Sequence, residues 1–244
     1  MKIDAADIHY RELNRLLREA VSGSARRLEL HNVFGQRYIG TNLAGRARID
    51  IYGTPGNDLG AFMDGPTIVV HGNAQDGCGN TMNEGKIVVE GRAGDITGLA
   101  ARGGKIFIRD DVGYRAGIHM KQYDGKRPLL VIGGTAQDFL GEYMAGGVIV
   151  VLGLTLHPGE RHKANLVGTG MHGGVIYVRG PLDRRQLGEG VQVGRPEGKE
   201  RLLLARLVGE FARHFDCDAQ EIMAGDFVKL TPVSLRPYGD LYAH

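Results

Sequence analysis

Tryptophan is missing from the 244 residues, cysteine occurs twice, and proline only eight times. Cys78 and Cys217 stand far apart and form no CxxC pair, which suits a reduced, cytoplasmic setting better than a disulfide scaffold. No charge sign dominates: 30 basic and 28 acidic residues leave +2, against a dedicated nucleic-acid surface. No apolar run approaches the roughly 20 residues of a membrane-spanning helix. The start, MKIDAADIHYRELNRLL, is too polar for a signal peptide. The expectation is a soluble cytoplasmic protein with neither nucleic-acid nor membrane partners.

Glycine, by contrast, supplies 39 residues, about twice the ordinary share. Without matching proline or serine this is not a disordered linker, so the glycines serve backbone geometry. Their spacing exposes a repeat. Arg48-Ile-Asp-Ile-Tyr-Gly53, Thr67-Ile-Val-Val-His-Gly72, Lys86-Ile-Val-Val-Glu-Gly91 and Lys105-Ile-Phe-Ile-Arg-Asp110 follow one another at 19-residue intervals. The pattern loosens in Pro128-Leu-Leu-Val-Ile-Gly133, Val148-Ile-Val-Val-Leu-Gly153 and Val175-Ile-Tyr-Val-Arg-Gly180, and Arg27-Leu-Glu-Leu-His-Asn32 is a first copy. Glycine pairs (Gly60/Gly65, Gly98/Gly103, Gly141/Gly146, Gly168/Gly173) precede several of these strands.

Each copy is a short β-branched run with period-2 alternation, a strand signature. Ile49/Ile51, Ile68/Val70, Ile87/Val89, Ile106/Ile108 and Ile176/Val178 occupy the inward positions. One such strand cannot bury its apolar face alone, but stacked copies about 4.8 Å apart share a continuous core. Leucine-rich repeats would show a leucine–asparagine consensus, propeller blades need about 40 residues each, and left-handed hexapeptide helices need an apolar residue every six. A mainly β, single-stranded right-handed β-helix remains. Helical spacing of Ile8, Leu13, Leu16 and Leu17 predicts a capping helix over Ala5–Ala20, and Leu202–Phe211 predict a second over Glu197–His214. The organisation expected is a helical cap over 1–26, the solenoid over 27–182, and a helix and tail packed on it over 183–244.

Gly53–Gly91, Gly141–Gly153 and Gly168–Gly180 resemble the glycine-rich repeats in the C-terminal domain of the glutamate synthase large (alpha) chain. The loops Ala61-Phe62-Met63 and Glu142-Tyr143-Met144 match as well, as does the tail Glu221–Tyr238. The resemblance covers about residues 27–240. In the family this domain is structural. An amidotransferase releases ammonia from glutamine, and a barrel with FMN and an iron–sulfur cluster makes glutamate. The resemblance therefore implies a stand-alone, non-catalytic scaffold that binds no cofactor itself. It implies separate glutamine amidotransferase-like and FMN-binding glutamate synthase-like partners, the latter carrying the iron–sulfur cluster. A formylmethanofuran dehydrogenase-like complex shares the repeat, and a self-assembling homo-oligomer or a carbohydrate-active enzyme are further alternatives.

Nothing in the motifs amounts to an active site. His157 and His162 on a long insertion could suggest a metal, but a structural or solvated role is expected. Asp110-Asp111 and Glu29/Asp50 could suggest a glycosidase groove, yet carboxylate pairs arise by chance and fold does not imply function. Cys78 reads as a buried thiol, and Gly77-Cys-Gly79 and Gly168-Thr-Gly170 read as corners, since strands follow them rather than helices. One feature points outward. The middle strand residues Asp50, Val69, Val88, Phe107, Leu130, Val150 and Tyr177 should face away from the core, and six of the seven are apolar. Such a ridge is seldom left bare. The expectation is that the chain's own C-terminal helix covers part of it and the FMN-binding partner docks on the rest.

Overall fold

The computed structural model describes residues 1–234; residues 235–244, with the last part of the Glu221–Tyr238 stretch, lie outside them. Strands β1 (Lys2–Asp4), β2 (Arg27–Phe34), β3 (Arg48–Thr54), β4 (Asp64–His71), β5 (Glu84–Val89), β6 (Lys105–Ile108), β7 (Leu129–Ile132), β8 (Ala145–Val151) and β9 (Gly173–Arg179) stack in sequence order. All nine run parallel, as successive coils of a solenoid must. Helix α1 (Tyr10–Ser22) lies between β1 and β2. After β9 come β10 (Val191–Gly194), helices α2 (Gly198–Phe215) and α3 (Ala219–Ala224), and β11 (Phe227–Pro232). β11 pairs antiparallel with β9, and β10 with β11, so the last coil's edge is covered. Among the described residues no helix is long and apolar enough to cross a membrane.

The core follows from strand register. Leu28, Ile49, Ile68, Ile87, Ile106, Leu130, Ile149 and Ile176 align across successive strands, each at most 2% exposed. Leu30, Ile51, Val70, Val89, Ile108, Ile132, Val151 and Val178 form a second aligned row, equally buried. The opposite wall is a ladder of turns in which Gly79 N donates to Leu59 O and Gly117 N to Thr97 O, both at 2.8 Å. Glycine is required there by the isoleucine row. A Cβ on Gly79 would sit 2.3 Å from Ile106 Cδ1, and one on Gly60 2.7 Å from Ile87 Cδ1.

The N-terminal cap differs from the expected helix over Ala5–Ala20. Residues 2–4 extend the sheet instead, with Ile3 buried, and His9 caps α1 by accepting from Arg11 N. Helix α2 begins within one residue of the expected start and ends where Asp216 turns left-handed at φ 53°.

The outward ridge is covered by α2 and α3. Val69, Val88, Phe107, Val150 and Tyr177 pack with Leu204, Leu207, Val208, Phe211 and Ile222 as a second apolar core, and Phe107 is fully buried. The chain's own helices fill this face, so these residues offer no open surface for the FMN-binding partner. Leu130 needs a second correction: it points into the solenoid, and Val131 takes the outward position opposite Phe107. Alignment on Gly133 misplaces it, because that glycine follows its strand one residue earlier than Gly72 does, and a one-residue slip exchanges the faces.

Ion pairs fasten α2 to the strands. Glu210 accepts from both Lys86 and Lys105 at 2.6 Å, and Lys229 reaches Glu200 at 2.9 Å. Burial alone would raise the Glu210 carboxyl, but the two ammonium groups outweigh it and hold its pKa below the ordinary glutamate range. Its stabilising contribution is therefore complete above the unfolded-chain value of about 4.3 and is lost as pH falls through the lower folded value.

Two outcomes follow from this packing. Gly79 and Gly98 share nearly the same backbone, φ +73° and +75°, but a Cβ on Gly98 meets nothing closer than 3.5 Å. Gly79→Ala should therefore lose about 1–3 kcal/mol more than Gly98→Ala in urea unfolding, and Ile106→Val should restore part of it. Equal losses would refute the steric account. Glu210→Gln should lower stability by about 1–2 kcal/mol at pH 7. Thermal melts at successive pH values should show that difference start to shrink below about pH 4.3 and vanish only below the lower folded value; a constant difference would mean the charge contributes nothing.

Candidate functional site

Apart from His157, the side chains considered for chemistry are committed to the fold. His162 is buried, with Nε2 donating to Arg179 O at 2.8 Å and Nδ1 3.4 Å from Thr135 Oγ1. Burial lowers its pKa, so it stays neutral, while His157 remains exposed on the insertion. The two do not form a pair of ligands, and among the described residues no three His, Cys, Asp or Glu side chains gather as a metal site.

The carboxylates behave likewise. Asp110 pairs with Arg109 at 3.1 Å, and Asp111 accepts from Thr135 N at 2.8 Å and Thr155 Oγ1 at 2.6 Å. Glu29 and Asp50 are neighbours across β2 and β3, but Glu29 is held by Lys2 at 3.3 Å and Asp50 by Arg48 at 2.6 Å. Burial would raise the Asp50 carboxyl; Arg48, joined by His71 and Arg27, more than offsets it and keeps it below the usual range. An acid–base pair needs one carboxyl pushed up and left free, and neither qualifies. Cys78 sits inside the solenoid, where burial pushes its thiol up to about 12, far from a nucleophile's range. Gly77 and Gly79 are turn residues of that same coil and lead into β5, not into a helix.

Two surface hollows are bordered by structural contacts. The larger, about 760 Å³, lies beside β9 and β11, where Arg179 Nε donates to Ile222 O at 3.0 Å. The smaller, about 420 Å³, is lined by Lys86, Lys105 and Lys126, whose charges go to Glu210 and, at 3.0 Å, to Glu84.

The wall opposite the sheet is different. Each of its turns places a residue in the left-handed region two positions before the central glycine and another two positions after it. The first column runs from Tyr38 through Asp58, Gly77, Ile96, Arg115 and Phe139 to Leu166. The second runs from Asn42 through Phe62, Thr81, Ala100, His119 and Tyr143 to Gly170. Amide hydrogen bonds fix both: Ile96 N donates to Tyr114 O at 2.8 Å and Phe62 N to Asn80 O at 2.9 Å. Asn, Asp and Gly suit this conformation, whereas bulky side chains are strained in it, by roughly 1–2 kcal/mol each. Yet Phe62 is 46% exposed, Tyr143 48% and Leu166 42%, so burial does not repay the strain. The β-branched Ile96, at φ 50°, is the clearest outlier. Arg115 lies 4.7 Å over the Phe139 ring and bonds Glu142 at 2.9 Å. Along the first column run Asp76, Asp95 and Asp138, each accepting a backbone amide from the next coil at 2.8–2.9 Å, and Asp138 also the Asn165 side-chain amide at 3.0 Å.

Sequence reasoning did not single out this face as a surface. Its signal is present all the same: the loops Ala61-Phe62-Met63 and Glu142-Tyr143-Met144 put a large aromatic beside the inward methionine.

Comparison with known proteins matches residues 25–232 to the family described as GXGXG motif. A Methanocaldococcus jannaschii protein named Uncharacterized protein MJ1350 is similar at 49% identity over 248 residues, spanning 98% of this chain and 95% of that protein.

Proposed function

Because the chain belongs to the GXGXG-motif family, to which the C-terminal domain of the glutamate synthase large chain also belongs, we propose that it is a non-catalytic scaffold of a glutamate synthase-like assembly. It holds a glutamine amidotransferase-like subunit and an FMN-binding synthase-like subunit at a fixed separation, so that ammonia released by one is consumed by the other. The observation that carries this reading is the wall of strained apolar residues, Phe62, Tyr143 and Leu166 among them exposed, on a solenoid in which Cys78, His162, Asp50 and Asp111 are engaged in its own packing. A scaffold needs such a rule-like body, because positioning two sites is a legitimate contribution to rate without any catalytic side chain. FMN and the iron–sulfur cluster belong to the synthase subunit in this reading. This chain's two cysteines, Cys78 buried and Cys217 exposed, are too few for a four-thiolate cluster.

The test has two parts. Affinity capture from the native organism should recover an amidotransferase and an FMN-binding subunit, identified by mass spectrometry. With those subunits purified, leaving this chain out should lower glutamine-dependent glutamate formation by at least ~10-fold and leave the rate with saturating ammonia unchanged. Equal glutamine-dependent rates with and without the chain would rule the scaffold out.

A further inference from the structure

We propose that the left-handed wall is the face on which a catalytic subunit sits, and that the subunit meets it with an apolar strip flanked by lysine and arginine. This rests on the scaffold reading and names the surface that performs it.

Three observations converge. The first is the identity of the residues on the wall, of which Phe62, Tyr143 and Leu166 are exposed and Ile96 and Phe139 half-buried. Phe62, Ile96, Phe139, Tyr143 and Leu166 occupy left-handed backbone, while Asn42, Asp58, Gly77 and Gly170 occupy equivalent positions of the same two columns. The fold therefore accepts the relaxed residue types there, and although Tyr143 stacks on His119 and Phe139 takes Arg115, folding alone does not require the bulky ones. The second is rigidity. Coil-to-coil amide bonds hold both columns, so binding orders little that is not ordered already. Seven coils at about 4.8 Å spacing make a strip roughly 30 Å long, adequate for a standard interface of about 800 Å² per partner.

The third is charge. Asp76, Asp95 and Asp138 border the first column, Asp58 lies within it, and none of the four has a salt-bridge partner among the described residues. Other carboxylates of the chain, such as Asp50, Glu142 and Glu210, are paired with arginine or lysine. An acidic rim left unmatched selects a basic partner. A second copy of this chain fits poorly. The flank beyond the second column carries Asp64, Asn83, Arg102, Lys121, Ala145 and His172, so only its two central coils offer arginine or lysine. It cannot match an acidic border that extends from Asp58 to Asp138.

The experiment measures binding of the intact chain to the purified amidotransferase and synthase subunits. Phe62→Asn combined with Tyr143→Asn removes two strained side chains from the wall, and Leu202→Asn changes a 72%-exposed residue of α2 as the control. The double variant should keep or raise the melting temperature, by about 2 °C, and should weaken binding of one subunit at least ~10-fold. The control should bind like wild type. In a separate triple variant, Asp76→Asn, Asp95→Asn and Asp138→Asn retain the oxygen that accepts the amide while removing the charge. It should slow association and flatten its salt dependence. Wild-type affinity in the double variant overturns the face while leaving the scaffold reading intact. Failure of the wild-type chain to bind either subunit overturns both. A wild-type dimer that the double variant dissociates in sedimentation would show that a second copy, and not a catalytic subunit, occupies the wall.

Discussion

The glycine column of the turn wall and the isoleucine row of the strands occupy the same space, and the rest of the molecule is arranged around that contact. Each isoleucine sends its Cδ1 into the position where the Cβ of a glycine one coil earlier would stand, as Ile87 does to Gly60 and Ile106 to Gly79. The solenoid is thus thinnest where its largest aliphatic side chains point. Because the contact runs between coils and not within one, it also enforces register. A coil displaced along its neighbour would press isoleucine against a residue that has a Cβ. Strand hydrogen bonds alone would tolerate such slippage more readily. Gly98 marks the exception: the aligned strand position there carries a leucine, and Leu130 Cδ2 would stand 3.5 Å from an added Cβ.

A sheet that buries one face inside the coil must still dispose of the other. This chain does so twice over, in different ways at its two ends. Toward the N-terminus the outer positions are polar, with Glu29 and Asp50 neutralised by Lys2 and Arg48. From Val69 onward they are apolar, and α2 lies over them with Phe211 and Leu207 facing Phe107 and its neighbours. The changeover from Asp50 to Val69 marks where the covering helix must begin. Glu210, placed between Lys86 and Lys105, fixes α2 at the edge of that region. What looks from the strands like an interface is an internal one, closed by the chain's own C-terminal elements.

How far these features can be read from residues alone depends on whether a single pattern encodes them. The inward rows are legible because alternation and a 19-residue interval are visible together, as in Ile68/Val70 and Ile87/Val89. The fold class follows from them. Leu130 is easily misplaced because glycine and strand register disagree by one residue where the repeat lengthens, and the glycine is the more conspicuous guide. The first helix starts later than its apolar spacing suggests. Ile8 and Leu13 fit a helical period, but the chain enters α1 only at Tyr10, after residues 2–4 have extended the sheet. The strained wall is the least legible element. Nothing in Phe62 or Ile96 announces a positive φ, since these are the side chains that ordinarily avoid it. It becomes visible only when equivalent turns are stacked and the same position is seen to hold Asp58 in one coil and Ile96 two coils later.

That distribution of strain separates two ways of building a surface. An enzyme concentrates its unusual geometry at one point, where a few groups with displaced acidities converge. Here the displaced acidities belong to groups that hold the fold: Cys78 inside the coil, His162 against a carbonyl, Asp50 and Glu210 in ion pairs. The backbone outliers, instead, are spread along the solenoid from Tyr38 to Leu166, one or two in every coil. Strain repeated at the pitch of the coils produces a line and not a pocket. A line of fixed length, stiff because every coil bonds the next, suits a task defined by the distance between two other bodies. The same stacking that lets short strands share a core therefore also aligns the left-handed positions into one continuous edge.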